Sequence, residues 1–186
     1  MHPQYFIAGE RLFAFNPKAG SSAIVRGIVA QYYPAIEKSI TEAHYPEGRS
    51  ADTDQHHSLL PFRINPDRPV VQVVRDPVER FRSAMAQLRL QDVDKTLHEL
   101  KAEEGWGSDG GPRLAANIHM LPQTRFVGDI TFFPITRLED AAESLGIRCP
   151  LKRINESQEK PELTGEQAER VRQWYAADVE LWERVR

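Results

Sequence analysis

Pro17-Lys18-Ala19-Gly20-Ser21-Ser22 places a lysine, a glycine and two hydroxyls just ahead of a stretch with Ile24, Val25, Ile28, Val29 and Tyr32 at helical spacing. Unpaired backbone N–H groups and the helix dipole at such a start favour an anion, and phosphate is the anion these residue types suit. Read alone, the hexapeptide serves equally well as a plain strand-to-helix turn. It is not the triphosphate loop GxxxxGK[ST], because Lys18 precedes the loop's only glycine. A second segment, Arg75-Asp76-Pro77-Val78-Glu79-Arg80-Phe81-Arg82-Ser83, sets an arginine at a strand end and a serine on the following helix. Arg75 and Ser83 can then reach a second phosphate beside the first loop. Arg80 fits ligand contact no better than pairing with Glu79, Asp76 or another helix.

These residues need elements to hold them. Arg11 to Phe15 reads as a short strand running into the Pro17 loop and its helix. Glu37 to Pro69 is polar, with little periodicity beyond the patch Leu59-Leu60-Pro61-Phe62, and reads as mostly loop. Pro69 to Val74 is rich in β-branched valine, with Gln72 its one polar residue, as a strand buried on both faces should be. Asp76 and Pro77 then give a helix cap and first residue, with Phe81, Met85 and Leu88 facing inward and Arg80, Ser83 and Gln87 on another face. Asp94 to Glu104 predicts a charged surface helix, and the glycine-rich run 105–111 a lid or a plain connector. Thr124 to Val127 and Thr131 to Ile135 are strand candidates, and Leu138 to Leu145 is a short helix closed by Gly146. Lys152 to Leu163 reads as a polar loop. One long final helix opens on a Thr164–Gln167 capping box and carries Ala168, Val171, Tyr175, Asp178 and Trp182 along one stripe. Alternating strands and helices predict an α/β fold with a mainly parallel central sheet and ligands at the carboxyl ends of its strands.

At 186 residues and 40% hydrophobic composition, the chain suits one domain with its own core. No apolar run reaches the ~20 residues of a membrane span. The opening Met1-His2-Pro3-Gln4 lacks the basic start and apolar stretch of a secretory signal, so a cytoplasmic protein is expected. Cys149 is the only cysteine, which excludes an internal disulfide and thiol-cluster metal sites, and no histidine spacing suggests a metal ligand set. A net charge of -3 argues against nucleic acid as a partner. The oligomeric state is not legible.

Taken together, PKAGSS and RDPVERFRS resemble the 5′-phosphosulfate loop and the 3′-phosphate motif of the sulfotransferases that use 3′-phosphoadenosine 5′-phosphosulfate (PAPS), in the same order and at comparable spacing. The segments 118–128, 136–139, 155–157 and 174–178 are similar to the carbohydrate branch that includes the heparan 2-O enzymes. This chain is shorter than most of that family, and the membrane anchor of its Golgi members is not expected here. The resemblance implies a P-loop-like three-layer fold and transfer of a sulfuryl group from PAPS to an acceptor hydroxyl, a carbohydrate among the candidates, with adenosine 3′,5′-bisphosphate as product. It implies that Lys18 contacts the oxygen bridging phosphorus and sulfur. Ala19, Gly20, Ser21 and Ser22 would hold the 5′ phosphate, and Arg75 and Ser83 the 3′ phosphate.

An acceptor hydroxyl must lose a proton, and histidine titrates in the right range for that task. The heparan 2-O enzymes carry a catalytic histidine ahead of an aromatic-rich stretch, which by resemblance points to His56, with His57 its neighbour. Without the resemblance the pair reads as surface decoration, and Glu42, Glu47, Asp52 and Asp54 are carboxylate alternatives. His119 reads as a histidine satisfied near the core, and Trp106, Trp174 and Trp182 as core or lid anchors. Two other functions compete: a small P-loop metabolite kinase needing Mg2+, which the missing GK[ST] disfavours, and a non-catalytic nucleotide-binding module of the same fold.

Overall fold

The computed structural model describes residues 5–35, 62–63, 68–101, 117, 119–151 and 159–186. Five strands, β1 (Tyr5–Ala8), β2 (Arg11–Ala14), β3 (Phe62–Arg63), β4 (Val70–Val74) and β5 (Ile130–Pro134), form one sheet in the order β3-β1-β2-β4-β5. β2 pairs with β4 and β4 with β5 in parallel, whereas β1 is antiparallel to both of its neighbours. Every strand but β1 therefore runs the same way, which is the mainly parallel α/β sheet expected. All five residues of β4 are buried, four of them valines, with Gln72 donating its Nε2 to the Gln123 carbonyl.

Helix α1 (Ser21–Tyr32) follows β2, and α2 (Pro77–Gln87) follows β4. Because β2 and β4 are neighbours in parallel register, the two motif segments emerge side by side at the same sheet end. The remaining helices are α3 (Val93–Lys101), α4 (Leu138–Ser144), α5 (Gly165–Trp174) and α6 (Ala176–Val185). Helices α1 and α4 cover one face: Ile24, Val25, Ile28, Ala141 and Leu145 pack against Phe6, Phe13, Val71 and Val73. On the other face Tyr5, Leu12, Ala14 and Val70 meet Phe126. Helices α2, α3 and α5 build a separate cluster around Phe81, Met85, Leu97 and Val171.

Four features depart from the sequence reading. β1 forms a hairpin with β2 across Gly9 and Glu10, Gly9 supplying φ 57; the apolar Tyr5–Ala8 and Leu12–Ala14 on either side of the Gly-Glu pair were its signature. Phe62 and Arg63 pair with β1 inside the stretch read as mostly loop. The strand expected at 124–127 is a 3₁₀ turn, Gln123–Arg125, because the N–H groups of Gln123 and Thr124 donate to the Asp178 carboxylate instead of a strand ladder. The single closing helix is two, bent at Tyr175 (φ -105, ψ 37), where the buried ring sends its hydroxyl to the Met120 carbonyl at 2.6 Å. The capping box at its start is present as read. Among the described residues, no helix is long and apolar enough to cross a membrane.

Candidate functional site

The loop between β2 and α1 turns tightly. The Ala19 N–H closes onto the Asn16 carbonyl at 3.3 Å, and Lys18 and Gly20 both take left-handed backbone, at φ 67 and φ 78. For lysine that conformation costs about 1–2 kcal/mol. For Gly20 it is free, and a side chain there would be both strained and crowded: a Cβ would lie 2.9 Å from Leu138 Cδ1, which would have to shift. A left-handed residue directly ahead of a helical one turns successive N–H groups toward a common point. No side chain caps α1 and its first turn holds no acid. Ala23 and Ile24 donate to the Gly20 carbonyl, so the N–H groups of Gly20, Ser21 and Ser22 are the ones without an acceptor in the helix.

The predicted loop residues divide accordingly. Ala19 uses its N–H within the turn. Ser21 turns its hydroxyl, buried, back to Asn16, accepting from the N–H and donating to the carbonyl, so it braces the loop and offers a ligand only its N–H. Ser22 stays half-buried. Lys18 has no carboxylate partner among the described residues. Burial, then the charges of Arg75 and Lys160, lower its pKa below the ordinary lysine value.

Arg75 stands where β4 ends. Its Nη1 donates to the Lys18 carbonyl at 3.2 Å and its Nη2 reaches Glu79 Oε2 at 3.4 Å, which brings the two motifs into one site. Burial lowers its pKa, against the opposing pull of Glu79 and Asp76. Asp76 caps α2 as expected, its Oδ1 accepting from the Glu79 N–H at 2.9 Å. Ser83 is buried one turn beyond Glu79 on the same side of α2. Glu79 binds Arg82 at 2.7 Å and Lys160 at 3.4 Å. Burial alone would raise its pKa; hydrogen bonds and charge from Arg82 and Lys160 outweigh that and lower it.

Behind the site lies a buried polar latch that sequence reasoning did not assemble. Gln123, fully buried, pairs with Arg75 as a strand neighbour would: its Oε1 accepts from the Arg75 N–H at 2.9 Å and its Nε2 donates to the Arg75 carbonyl at 2.8 Å. Asn16 Nδ2 donates to that same Oε1 at 2.8 Å and to the Val73 carbonyl at 3.0 Å, so one amide ties both motif loops together. Asp178 anchors the latch through the Gln123 and Thr124 N–H groups. An acid on the otherwise apolar stripe of the last helix was the signal for a buried acceptor.

Arg80 belongs to this support. It is 1% exposed, donates to the carbonyls of His119 and Leu121, lies 3.7 Å from Asp178 and sits 5.2 Å from the Tyr175 ring centre. Pairing with another helix, one of the readings left open for it, is what the fold gives. Burial pushes the Tyr175 hydroxyl up to about 12. His119 lends its carbonyl to Arg80 from the turn before Met120. Trp174 is exposed and Trp182 half-buried. His56 and His57, the acids Glu42, Glu47, Asp52 and Asp54, Trp106 and the glycine-rich loop all lie outside the described residues.

Gathered at one sheet end are three N–H groups on a helix start, Lys18, Arg75 and Lys160, an arrangement that can bind a polyanion. No protein-family model, curated protein or solved structure matches this chain.

Proposed function

We propose that the chain is a PAPS-dependent sulfotransferase with a P-loop-like fold, cytoplasmic, that moves a sulfuryl group onto an acceptor hydroxyl, a carbohydrate hydroxyl being the class its motifs resemble. One observation carries this reading. Lys18 is held in a strained backbone conformation beside the N–H groups that start α1, with no carboxylate partner among the described residues, and its carbonyl is bonded to Arg75. Strain and desolvated charge at one residue are characteristic of a functional position.

The residues present fit the donor. The N–H groups of Gly20, Ser21 and Ser22 suit the 5′ phosphate, and Arg75 with Ser83 suits the 3′ phosphate. PAPS supplies, when bound, an activated sulfuryl group and a phosphate leaving group. Transfer is an in-line displacement: a bond forms from the acceptor oxygen to sulfur as the bond from sulfur to the bridging oxygen breaks, and that electron pair leaves with adenosine 3′,5′-bisphosphate. Lys18 stabilises the charge growing on the bridging oxygen, an interaction that strengthens towards the transition state and so raises turnover more than affinity. His56, or His57 beside it, takes the acceptor proton in this scheme. The test is whether the protein selects adenosine 3′,5′-bisphosphate over ATP with Mg2+, a preference that requires both anion positions.

A further inference from the structure

Glu79 carries one negative charge and faces three positive ones. Its Oε1 takes a short bond from Arg82 Nη1 at 2.7 Å, while its Oε2 is shared at 3.4 Å by both Arg75 Nη2 and Lys160 Nζ. The partners come from separate parts of the chain: Arg75 from the end of β4, Arg82 from α2, and Lys160 from the segment ahead of α5. That segment is itself pinned to α2, because Arg82 Nε donates to the Pro161 carbonyl at 2.8 Å. Lys18, next to Arg75, adds a fourth cation with no acid of its own among the described residues. Such convergence is repulsive unless an anion enters, and Glu79, with Asp76 acting on Arg75 as well, offsets only part of it.

The geometry also ranks the contacts. Arg82 is held by a charge-assisted hydrogen bond of ordinary length, whereas the two 3.4 Å contacts are long and compete for one oxygen. Arg75 and Lys160 keep 19% and 26% of their side chains exposed, so both can turn to an entering group. We propose that Glu79 is the resident counter-ion of the anion site, holding Arg75 and Lys160 ready and yielding both to the second phosphate group of the nucleotide, which makes Lys160 a ligand-binding residue. This rests on the nucleotide site proposed above. Glu79 stays bonded to Arg82 and remains beside the bound phosphate, where its charge opposes the ligand.

The two residues should therefore act in opposite directions. In calorimetric titrations Glu79→Gln, which keeps the hydrogen bond to Arg82, should bind adenosine 3′,5′-bisphosphate about 5- to 10-fold more tightly than wild type, and Lys160→Met about tenfold more weakly. Affinity for adenosine 5′-monophosphate, which lacks the second phosphate, should change less than about twofold in either variant. If the two residues only support the fold, both variants weaken binding, and that result overturns the proposal. It is equally overturned by an unchanged Lys160→Met, or by a Glu79→Gln effect that is absent or the same for both nucleotides. A wild-type protein that binds neither nucleotide defeats the function proposed above and this inference with it.

Discussion

Lys18 gives the sharpest test of the idea that the β2–α1 loop is strained for the sake of its ligand. Lys18→Ala and Lys18→Gly both remove the ammonium, so the difference between them isolates the backbone. At φ 67 an alanine retains the penalty of about 1–2 kcal/mol for a left-handed L-residue, and a glycine does not. Glycine loses about 0.5–1 kcal/mol of this advantage through the greater freedom of its unfolded chain. Lys18→Gly should thus be more stable than Lys18→Ala by about 0.5–1 kcal/mol, the reverse of their usual order in a helix. For a chain of 186 residues that is a difference of about 2 °C in melting temperature, readable by calorimetry alongside denaturant midpoints at constant m. Both variants should lose sulfuryl transfer to the same degree. An alanine variant as stable as the glycine variant, or more so, would show that the loop stores no strain at Lys18.

Arg75→Ala should weaken adenosine 3′,5′-bisphosphate by about tenfold or more while leaving adenosine 5′-phosphosulfate, which has no 3′ phosphate, nearly unaffected; equal losses in a paired titration would remove Arg75 from the 3′ position. Asp178→Ala strips the latch of its acceptor and leaves the buried Arg80 charge without its carboxylate, so unfolding free energy should fall by about 3–5 kcal/mol and the melting temperature by roughly 10 °C. A loss under about 1 kcal/mol would mean that Asp178 is not the anchor.

The parts legible in the sequence were those set by local chemistry. The valine-rich run at Val70–Val74, the Asp76-Pro77 start of α2 and the Thr164–Gln167 capping box each carry their own signal, and each stands where it was read. Placing Arg75 beside Lys18 needed only that β2 and β4 be parallel neighbours. What escaped depends on distant partners. Gln123 looks like any polar residue after a proline until its amide is seen completing the backbone pairing of Arg75 from 48 residues away. The N–H groups of 123 and 124 are drawn to Asp178, and so a segment with strand-like composition becomes a turn. Ser21 reads as a phosphate ligand by analogy, yet its hydroxyl is engaged by Asn16, one residue beyond the motif considered. Lys160 belonged to a stretch read only as polar loop, and no local pattern tied it to Glu79.

The most direct measurement is calorimetric titration of the wild-type protein with adenosine 3′,5′-bisphosphate and, separately, with ATP and Mg2+. A site with two anion positions and no triphosphate loop should bind the bisphosphonucleotide with a Kd of about 1 μM or tighter and respond little to ATP. The opposite preference would contradict the sulfotransferase proposal and favour the kinase reading in its place.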